Sequence, residues 1–543
     1  MKGVDVIAEI LRREGTEFLS CYPRNPLIEA CAKIGIRPVL CRQERVGVGI
    51  ADGYSRINRG KRIGVFAAQA GPGIENAFPG IAQAYSENVP LLVIPGAGRM
   101  TRQYTRPVFN AVANYQYVTK WAASINTVSF IPDVFRRAYQ AMRSGKSGPV
   151  LIEVPEEFWE AEFEGELNYE PVPFTRVAPD PDAVKEAAKA ITDAKSPIIF
   201  AGQGVLYAGA TEELIELANL LPAPVMTTNP GKSAFPENHD LALGASTSSA
   251  PRPLTEFMKR ADVVFAIGSS LTRTPFGPQV PPGKKIVHST NDPGDINKDY
   301  QADYALAGDA KLVLRALIEE VGKRKGNKAD TAKLAEEVRG AKKKWRDEWM
   351  PQYTSNETPI NQYRIIWDLM NSIDRDNTII THDSGSPREQ LLPMWESTTP
   401  GSYIGWGKST QLGYGLGINM GAKMARPDKL CINIMGDSAI GMTGMDLETA
   451  ARNGIGTLTI VFNNGVMAAE RDVMKYSTEK YGTLTVGGNY SKVAEGLNVE
   501  AIRVEKPDAF KPALKHAVDT TMSGRPFLLE CVVKEGYEFS RYK

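Results

Sequence analysis

Several function classes find little support in this 543-residue sequence. The cysteines are few and odd in number: Cys21, Cys31, Cys41, Cys431 and Cys531, with no C-x-x-C pair. That argues against a disulfide framework and against a zinc ribbon. Reduced thiols, as in a cytoplasmic protein, are the expectation. The four histidines, His239, His288, His382 and His516, are scattered without metal-ligand spacing and offer few candidates for a Ser-His-Asp triad. Charge of one sign is also missing: Lys+Arg number 64 and Asp+Glu 63, a net charge of +1. No nucleic-acid or other polyanionic partner is expected from that balance. No run of 18 apolar residues occurs, so no membrane span is expected. The opening MKGVDVIAEILRREGTE reads as an amphipathic helix, without the unbroken apolar core and cleavage site of a signal peptide. No strand–GxGxxG–helix is followed by an acidic residue about 20 positions on, which argues against an NAD(P) oxidoreductase.

What is present is a repeated alternation. Short Val/Ile-rich runs such as RIGVFAAQ, PLLVIPG, GPVLIEVP, SPIIFAG, DVVFAIG, KLCINIMG and LTIVFNN end in Gly, Pro, Asn or similar residues. Such runs suit strands buried on both faces of a parallel sheet, and helical stretches between them indicate βαβ units. The expected fold is α/β, with three doubly wound parallel-sheet domains over residues 1–165, 183–325 and 360–543. Two connecting segments separate them. Residues 166–182 carry NYEPVPFTRVAPDPDA and read as an extended linker. Residues 326–359 carry a polar start and then a helix, TAKLAEEVRGAKKKWRDEW, whose Lys342-Lys343-Lys344 run reads as a solvated face.

The strongest chemical signal lies in the third segment. Strand KLCINIM runs into Gly436-Asp437-Ser438, a helical stretch follows, and strand TLTIVF ends at Asn463-Asn464-Gly465. Asp437 and Asn464 each fall at the carboxyl end of an expected parallel strand, where open α/β sheets bind ligands. A carboxylate, an amide oxygen and a nearby backbone carbonyl are hard donors suited to Mg²⁺, with a diphosphate completing the shell. Small residues after Asp437, Ser438 and Ala439, let backbone N–H groups approach phosphate oxygens.

These residues resemble the thiamine-diphosphate (ThDP) signature of the acetolactate synthase, pyruvate decarboxylase and 2-hydroxyacyl-CoA lyase superfamily, a Gly-Asp-Gly followed some 25 to 30 residues later by Asn-Asn. Ser438 departs from the pattern in replacing its third glycine. The stretches CRQERVGVGIADGYSRINRGKRIGVF, QAGPGIENAFPGIAQAYSENVPLLVIPG and KSTQLGYGLGINMGAKMARP extend the likeness over nearly the whole chain. The resemblance implies an N-terminal pyrimidine-binding, a central Rossmann-like and a C-terminal diphosphate-binding domain. It places metal ligands on Asp437, Asn464 and the Val466 carbonyl. It places ThDP contacts on Gly436, Ser438, Ala439, Met467, Ser386, the Thr410 carbonyl and Leu412, which would wedge between the cofactor's rings. Glu44 would face the aminopyrimidine and promote loss of the thiazolium C2 proton, a role for which a buried carboxyl of raised pKa is suited. A surface Glu44 paired with Arg42 or Arg45 is the competing reading.

The resemblance implies C–C bond cleavage or formation next to a carbonyl, most simply decarboxylation of a 2-oxo acid with carboligation to a second carbonyl. A 2-hydroxyacyl-CoA lyase or oxalyl-CoA decarboxylase is an alternative within the superfamily. A non-catalytic nucleotide-binding regulator is one outside it. Glu470, six residues after Asn464, falls where pyruvate decarboxylases carry a catalytic glutamate; pairing with Arg471 or Lys475 on a solvent face is its other reading. Asn25, Gln69 and Asn110 are neutral amides that could hold a substrate carbonyl or serve as turn and cap residues. FAD or an adenine nucleotide in the central domain is doubtful. The Gly202-Gln203-Gly204 turn is present, but only Asp292 remains of an Asp-x-Asp-Pro element. The superfamily's sites lie between subunits, so a homodimer at minimum, and commonly a homotetramer, is expected. The tail KEGYEFSRYK could close over the site or fray.

Overall fold

The computed structural model describes residues 1–543 except 104, 326–329, 537 and 543, so part of the second connecting segment and two tail residues lie outside the described residues. The described chain forms three six-stranded sheets in which every strand pair is parallel. The first contains β1 (Phe18–Cys21), β2 (Arg37–Leu40), β3 (Gly64–Ala68), β4 (Leu91–Ala97), β5 (Trp121–Ser124) and β6 (Val150–Pro155), in the order β2-β1-β3-β4-β6-β5. The second contains β7 (Pro197–Ala201), β8 (Val225–Thr228), β9 (Ala242–Ser246), β10 (Val263–Ile267), β11 (Lys285–Thr290) and β12 (Tyr304–Ala307), in the order β12-β11-β10-β7-β8-β9. The third contains β13 (Thr378–His382), β14 (Tyr403–Ile404), β15 (Leu430–Gly436), β16 (Leu458–Asn463), β17 (Glu500–Val504) and β18 (Phe527–Val532), in the order β14-β13-β15-β16-β18-β17. The inner strands are apolar on both faces because helices cover both; all five residues of β3 are buried, as are Leu430–Met435 of β15.

The first and third sheets share one strand order although their sequences show no close repeat. In each, the chain leaves its first strand toward one edge and then crosses to the other side. The crevice at that reversal is where open α/β sheets take ligands. It falls between β1 and β3, between β13 and β15 and, in the central sheet, between β7 and β10. Residues just past those strands are Asn25 and Gln69, Asp383 and Asp437, and Gly202 and Gly268.

The segments between the sheets are packed rather than loose. Buried Arg143 donates to Glu14 at 2.6 Å and to the Val172 carbonyl, and the Tyr169 hydroxyl donates to Glu14 at 2.6 Å, which pins residues 169–172 to the first sheet's helices. Helix Ala332–Tyr353 lies over the central and third sheets' helices. Its Lys342 turns inward, donating to the Glu237 carbonyl at 2.7 Å, so that lysine does not belong to the solvated face expected for it. The described tail residues are docked rather than frayed: Ser540 and Ala250 exchange backbone and hydroxyl bonds, and Trp349 Nε1 donates to the Tyr542 hydroxyl at 3.1 Å. No helix is long and apolar enough to cross a membrane among the described residues, and the five cysteines are buried and free.

Candidate active site

Asp437 begins helix Asp437–Thr443 directly after β15 and is 4% exposed. Strand β16 is the hydrogen-bonded neighbour of β15, which brings Asn464 alongside it. Asp437 Oδ2 accepts the backbone N–H groups of Asn464 (3.1 Å) and Gly465 (2.7 Å), and Oδ1 accepts that of Ser438 (2.7 Å). Asn464 Oδ1 accepts from Val466 N at 3.1 Å, curling the chain so that Asn464, Gly465 and Val466 wrap the carboxylate. No cationic side chain lies within 4.0 Å of Asp437 among the described residues, and burial raises its pKa against the pull of those N–H groups. A buried carboxylate without a counter-charge is costly unless a cation occupies the site. Asp437, the Asn464 amide oxygen and the Val466 carbonyl are the oxygen set that suits Mg²⁺. Among the described residues no three His, Cys, Asp or Glu side chains gather, so a site built on thiolates or imidazoles finds no counterpart. The arrangement therefore fits a magnesium-bound diphosphate.

Glu44 opens helix Glu44–Ile57 and is 5% exposed. Its competing reading as a surface ion pair does not hold. Arg42 reaches Glu448 and Arg45 reaches Gln43 and the Met442 carbonyl, leaving Glu44 beside the Asn76 side chain and the backbone of Gly73. Burial raises its pKa. The helix it opens packs backbone to backbone against helix Tyr414–Ala425, which follows Leu412.

Leu412 stands on a braced turn. Thr410 has φ +25° and Gly413 φ +85°. Gly413 N donates to Asp383 Oδ1 at 2.8 Å, Gly415 N to Asp383 Oδ2 at 3.0 Å, and Thr443 Oγ1 to the Gly413 carbonyl at 3.0 Å. Thr443 closes the helix that Asp437 opens, so the Leu412 turn and the Asp437 helix are joined directly. Asp383 is fully buried and pushed up to about 6 by that burial. Sequence reading missed Asp383 and Thr443. The signal for Asp383 was present: an aspartate at a strand end followed by Ser384-Gly385-Ser386. The signal for Thr443 was not, since a helical threonine is unremarkable until its partner is known.

The remaining candidates divide by how free their side chains are. Ser386, half-buried, opens helix Ser386–Met394 with no hydrogen bond to its hydroxyl. Ala439 is buried within the Asp437 helix, Gly436 caps it, and half-buried Met467 bonds through its backbone to Leu484. Gln69 is half-buried beyond β3, with no side-chain hydrogen bond among the described residues. Asn110 caps helix Ala111–Tyr115 through Oδ1 and keeps its N–H groups free. Asn25 is committed: its amide donates to the Ala68 and Ile94 carbonyls at 3.0 and 2.9 Å and accepts from Leu27 N, tying the ends of β3 and β4 together. Glu470 is exposed and pairs with neither expected partner, because Arg471 turns to Glu535 and Lys475 to Asp472. In the central sheet, Asp292 is held by Lys146 at 3.3 Å and by Gly294 N.

The chain matches the family descriptions "Thiamine pyrophosphate enzyme, N-terminal TPP binding domain" over residues 1–117, "central domain" over 184–317 and "C-terminal TPP binding domain" over 383–531. It is 30% identical to the probable acetolactate synthase large subunit of Methanococcus aeolicus, over 98% of this chain and 92% of that one. It is 25% identical to acetolactate synthase isozyme 3 large subunit of Escherichia coli K12, over 98% and 95%. It is 28% identical to the glyoxylate carboligase of Escherichia coli O157:H7, over 95% and 90%. With three parallel-sheet units matched in order and relatives aligned along almost their full length, the chain belongs to the thiamine-pyrophosphate enzyme family, as a ThDP-dependent enzyme of the transferase and lyase type.

Proposed function

We propose that this enzyme decarboxylates a 2-oxo acid and joins the remaining carbon fragment to a second carbonyl compound. The observation that carries the reading is the pair of buried carboxylates, Asp437 and Glu44, each without a cationic partner at the rim of a parallel sheet. When bound, ThDP supplies the nucleophilic carbon and the electron sink that such chemistry needs. Asp437, Asn464 and the Val466 carbonyl hold Mg²⁺ and through it the diphosphate. Ser386, Gly436, Ser438, Ala439 and Met467 line the same rim. Leu412, on the turn braced by Asp383 and Thr443, and the Thr410 carbonyl would contact the cofactor's rings. Glu44, kept protonated more readily by its burial, would supply a proton-exchanging carboxyl to the pyrimidine. Glu470, exposed and without a side-chain partner among the described residues, would serve as a proton carrier for the substrate. Gln69 and Asn110, whose amide N–H groups have no partner among the described residues, would hold a substrate oxygen.

Two copies of the chain complete the site. Exposed Tyr117 (80%), Met442 and Met445 give the surface apolar area of the kind that self-association covers. Incubating the ThDP- and Mg²⁺-loaded protein with pooled 1-¹³C 2-oxo acids and following labelled CO₂ by NMR tests the donor, and the carbon skeleton of the product tests ligation. Absence of labelled CO₂ from every 2-oxo acid would refute the reading. Dilution to monomer should abolish turnover, and an active monomer in light scattering would refute the shared site.

A further inference from the structure

We propose that Arg388 and Lys408 form a seat for an anionic group on the substrate, so that the enzyme selects a donor or acceptor bearing a carboxylate, sulfonate or phosphate besides its reacting group. The proposal rests on the reading of the cofactor site above and adds the substrate class. Both residues line one cavity of about 290 Å³, which runs from the carboxyl edge of the central sheet to the third sheet's rim. Lys408 stands two residues before Thr410, and Arg388 two residues after Ser386. Their positions converge: a Cβ on Gly407 would fall 2.6 Å from Arg388 Nη1.

Each cation is held in place and keeps donor capacity to spare. Arg388 is 2% exposed; its Nε donates to Glu389 Oε1 at 2.8 Å, while its buried Nη1 has no hydrogen-bond partner. Glu389 has no capacity to spare, since the hydroxyls of Thr247, Ser248 and Ser249 all donate to its other oxygen. The guanidinium carbon lies over Phe276, 4.8 Å from the ring centroid. Lys408 is anchored through its backbone N–H, 2.7 Å from Glu87 Oε1, but its ammonium has no carboxylate within 4.0 Å. Burial lowers its pKa against the more distant pull of Glu87 and Asp295. Arg143 and Lys146, which also line the cavity, are paired with Glu14 and with Asp292 and Asp295, and Arg388 is paired through Nε alone, its Nη1 facing no acceptor. Arg59 and Lys61 line the cavity too and have no carboxylate within 4.0 Å among the described residues, so the cavity as a whole draws anions. A buried guanidinium nitrogen without an acceptor is unfavourable until a ligand supplies one, and a carboxylate or phosphate does so most strongly.

Two measurements decide it. Calorimetric titration of the ThDP- and Mg²⁺-loaded protein with glutarate, inorganic phosphate and ADP should show glutarate or phosphate binding, weakened at least tenfold in Arg388→Gln and in Lys408→Gln. Lys408→Gln removes no ion pair and serves if Arg388→Gln does not fold. Turnover of 2-oxobutyrate and 2-oxoglutarate, each as donor and as acceptor, should favour the dianion at least tenfold in kcat/KM, with a raised KM for it in both variants. Equal kcat/KM for the two acids, or small-anion binding unchanged by both substitutions, would overturn the proposal. ADP binding that depends on both residues while small anions do not bind would also overturn it, in favour of a nucleotide site. Residue-dependent glutarate or phosphate binding with no turnover of any 2-oxo acid would sink the proposed reaction instead and leave the anion seat standing.

Discussion

Gly53 lies so close to Ile418 that a Cβ at position 53 would come within 2.2 Å of the Ile418 carbonyl oxygen. A Cβ at position 421 would fall 2.1 Å from the Ile50 carbonyl oxygen across the same contact. The helix that opens with Glu44 and the helix that follows Leu412 thus touch along their backbones, and this one rigid pairing fixes how the chain holds Glu44 and Leu412, each to be met by the other copy in the proposed shared site. An alanine at either glycine must push against backbone, which cannot turn away as a side chain would. Gly53→Ala and Gly421→Ala should each cost about 1–3 kcal/mol in urea denaturation, and each should lower ThDP affinity in the fraction that folds. Wild-type ThDP affinity in either variant would show that the helix pair does not position the cofactor.

Glu44→Gln keeps the size of the side chain and removes its proton chemistry. No ion pair is lost, because Glu44 makes none among the described residues. The variant should therefore fold with a melting midpoint at or slightly above that of the wild type, bind ThDP, and turn over roughly 10²–10⁴-fold more slowly. Unchanged turnover in steady-state assays would remove Glu44 from the mechanism.

Much of this arrangement was legible in the sequence, for a physical reason. Strands buried on both faces must be nearly all apolar, so RIGVFAAQ and KLCINIMG announce β3 and β15 by composition alone. Asp437 and Asn464 were legible because strand ends flanked by small residues are rare enough to carry meaning at a fixed spacing. Short strands such as β14 (Tyr403–Ile404) were not, since two residues have no periodicity. The Arg388–Lys408 corner was hidden too. Lys408 reads as one more surface lysine until the fold removes its carboxylate partners, and Arg388 next to Glu389 reads as a simple pair. For Asn25 both readings, a substrate-holding amide and a turn or cap residue, stood open in the sequence, and the fold uses its amide on the Ala68 and Ile94 carbonyls.

Asp437→Asn separates binding from stability. In the protein without metal, the substitution removes a buried carboxylate that no cation neutralises but leaves an amide NH₂ facing at least one backbone N–H, so the melting midpoint should move little. In the presence of ThDP and Mg²⁺ the wild type should gain the stabilisation that ligand binding confers, RT ln(1 + [L]/Kd), and the variant should gain little. The two proteins would then differ far more with ligand than without it. A variant stabilised by Mg²⁺ and ThDP as much as the wild type would place the metal elsewhere.

Asp446 gives a stability test in which pH sets the sign. Its carboxyl is buried, with Oδ1 accepting from Arg42 N and from Thr449 Oγ1 at 2.8 Å each and Oδ2 without a partner. Burial pushes it up to about 6, above the usual aspartate value of about 3.9. The folded protein therefore prefers the protonated form. The group's contribution is fully present below about pH 4 and is lost as pH rises through about 6, because the unfolded chain ionises first. A shift of about two units corresponds to about 3 kcal/mol. Asp446→Asn imitates the protonated acid at every pH, so it should match the wild type near pH 4 and exceed it by up to that amount at pH 7. Urea midpoints of both proteins across this range read the difference directly. A gap that stayed constant with pH would mean that Asp446 ionises as freely in the folded protein as in the unfolded chain. Arg42, whose backbone N–H meets this carboxylate, lies two residues from Glu44, so a loosened Asp446 contact should also appear as a change in the pH dependence of turnover.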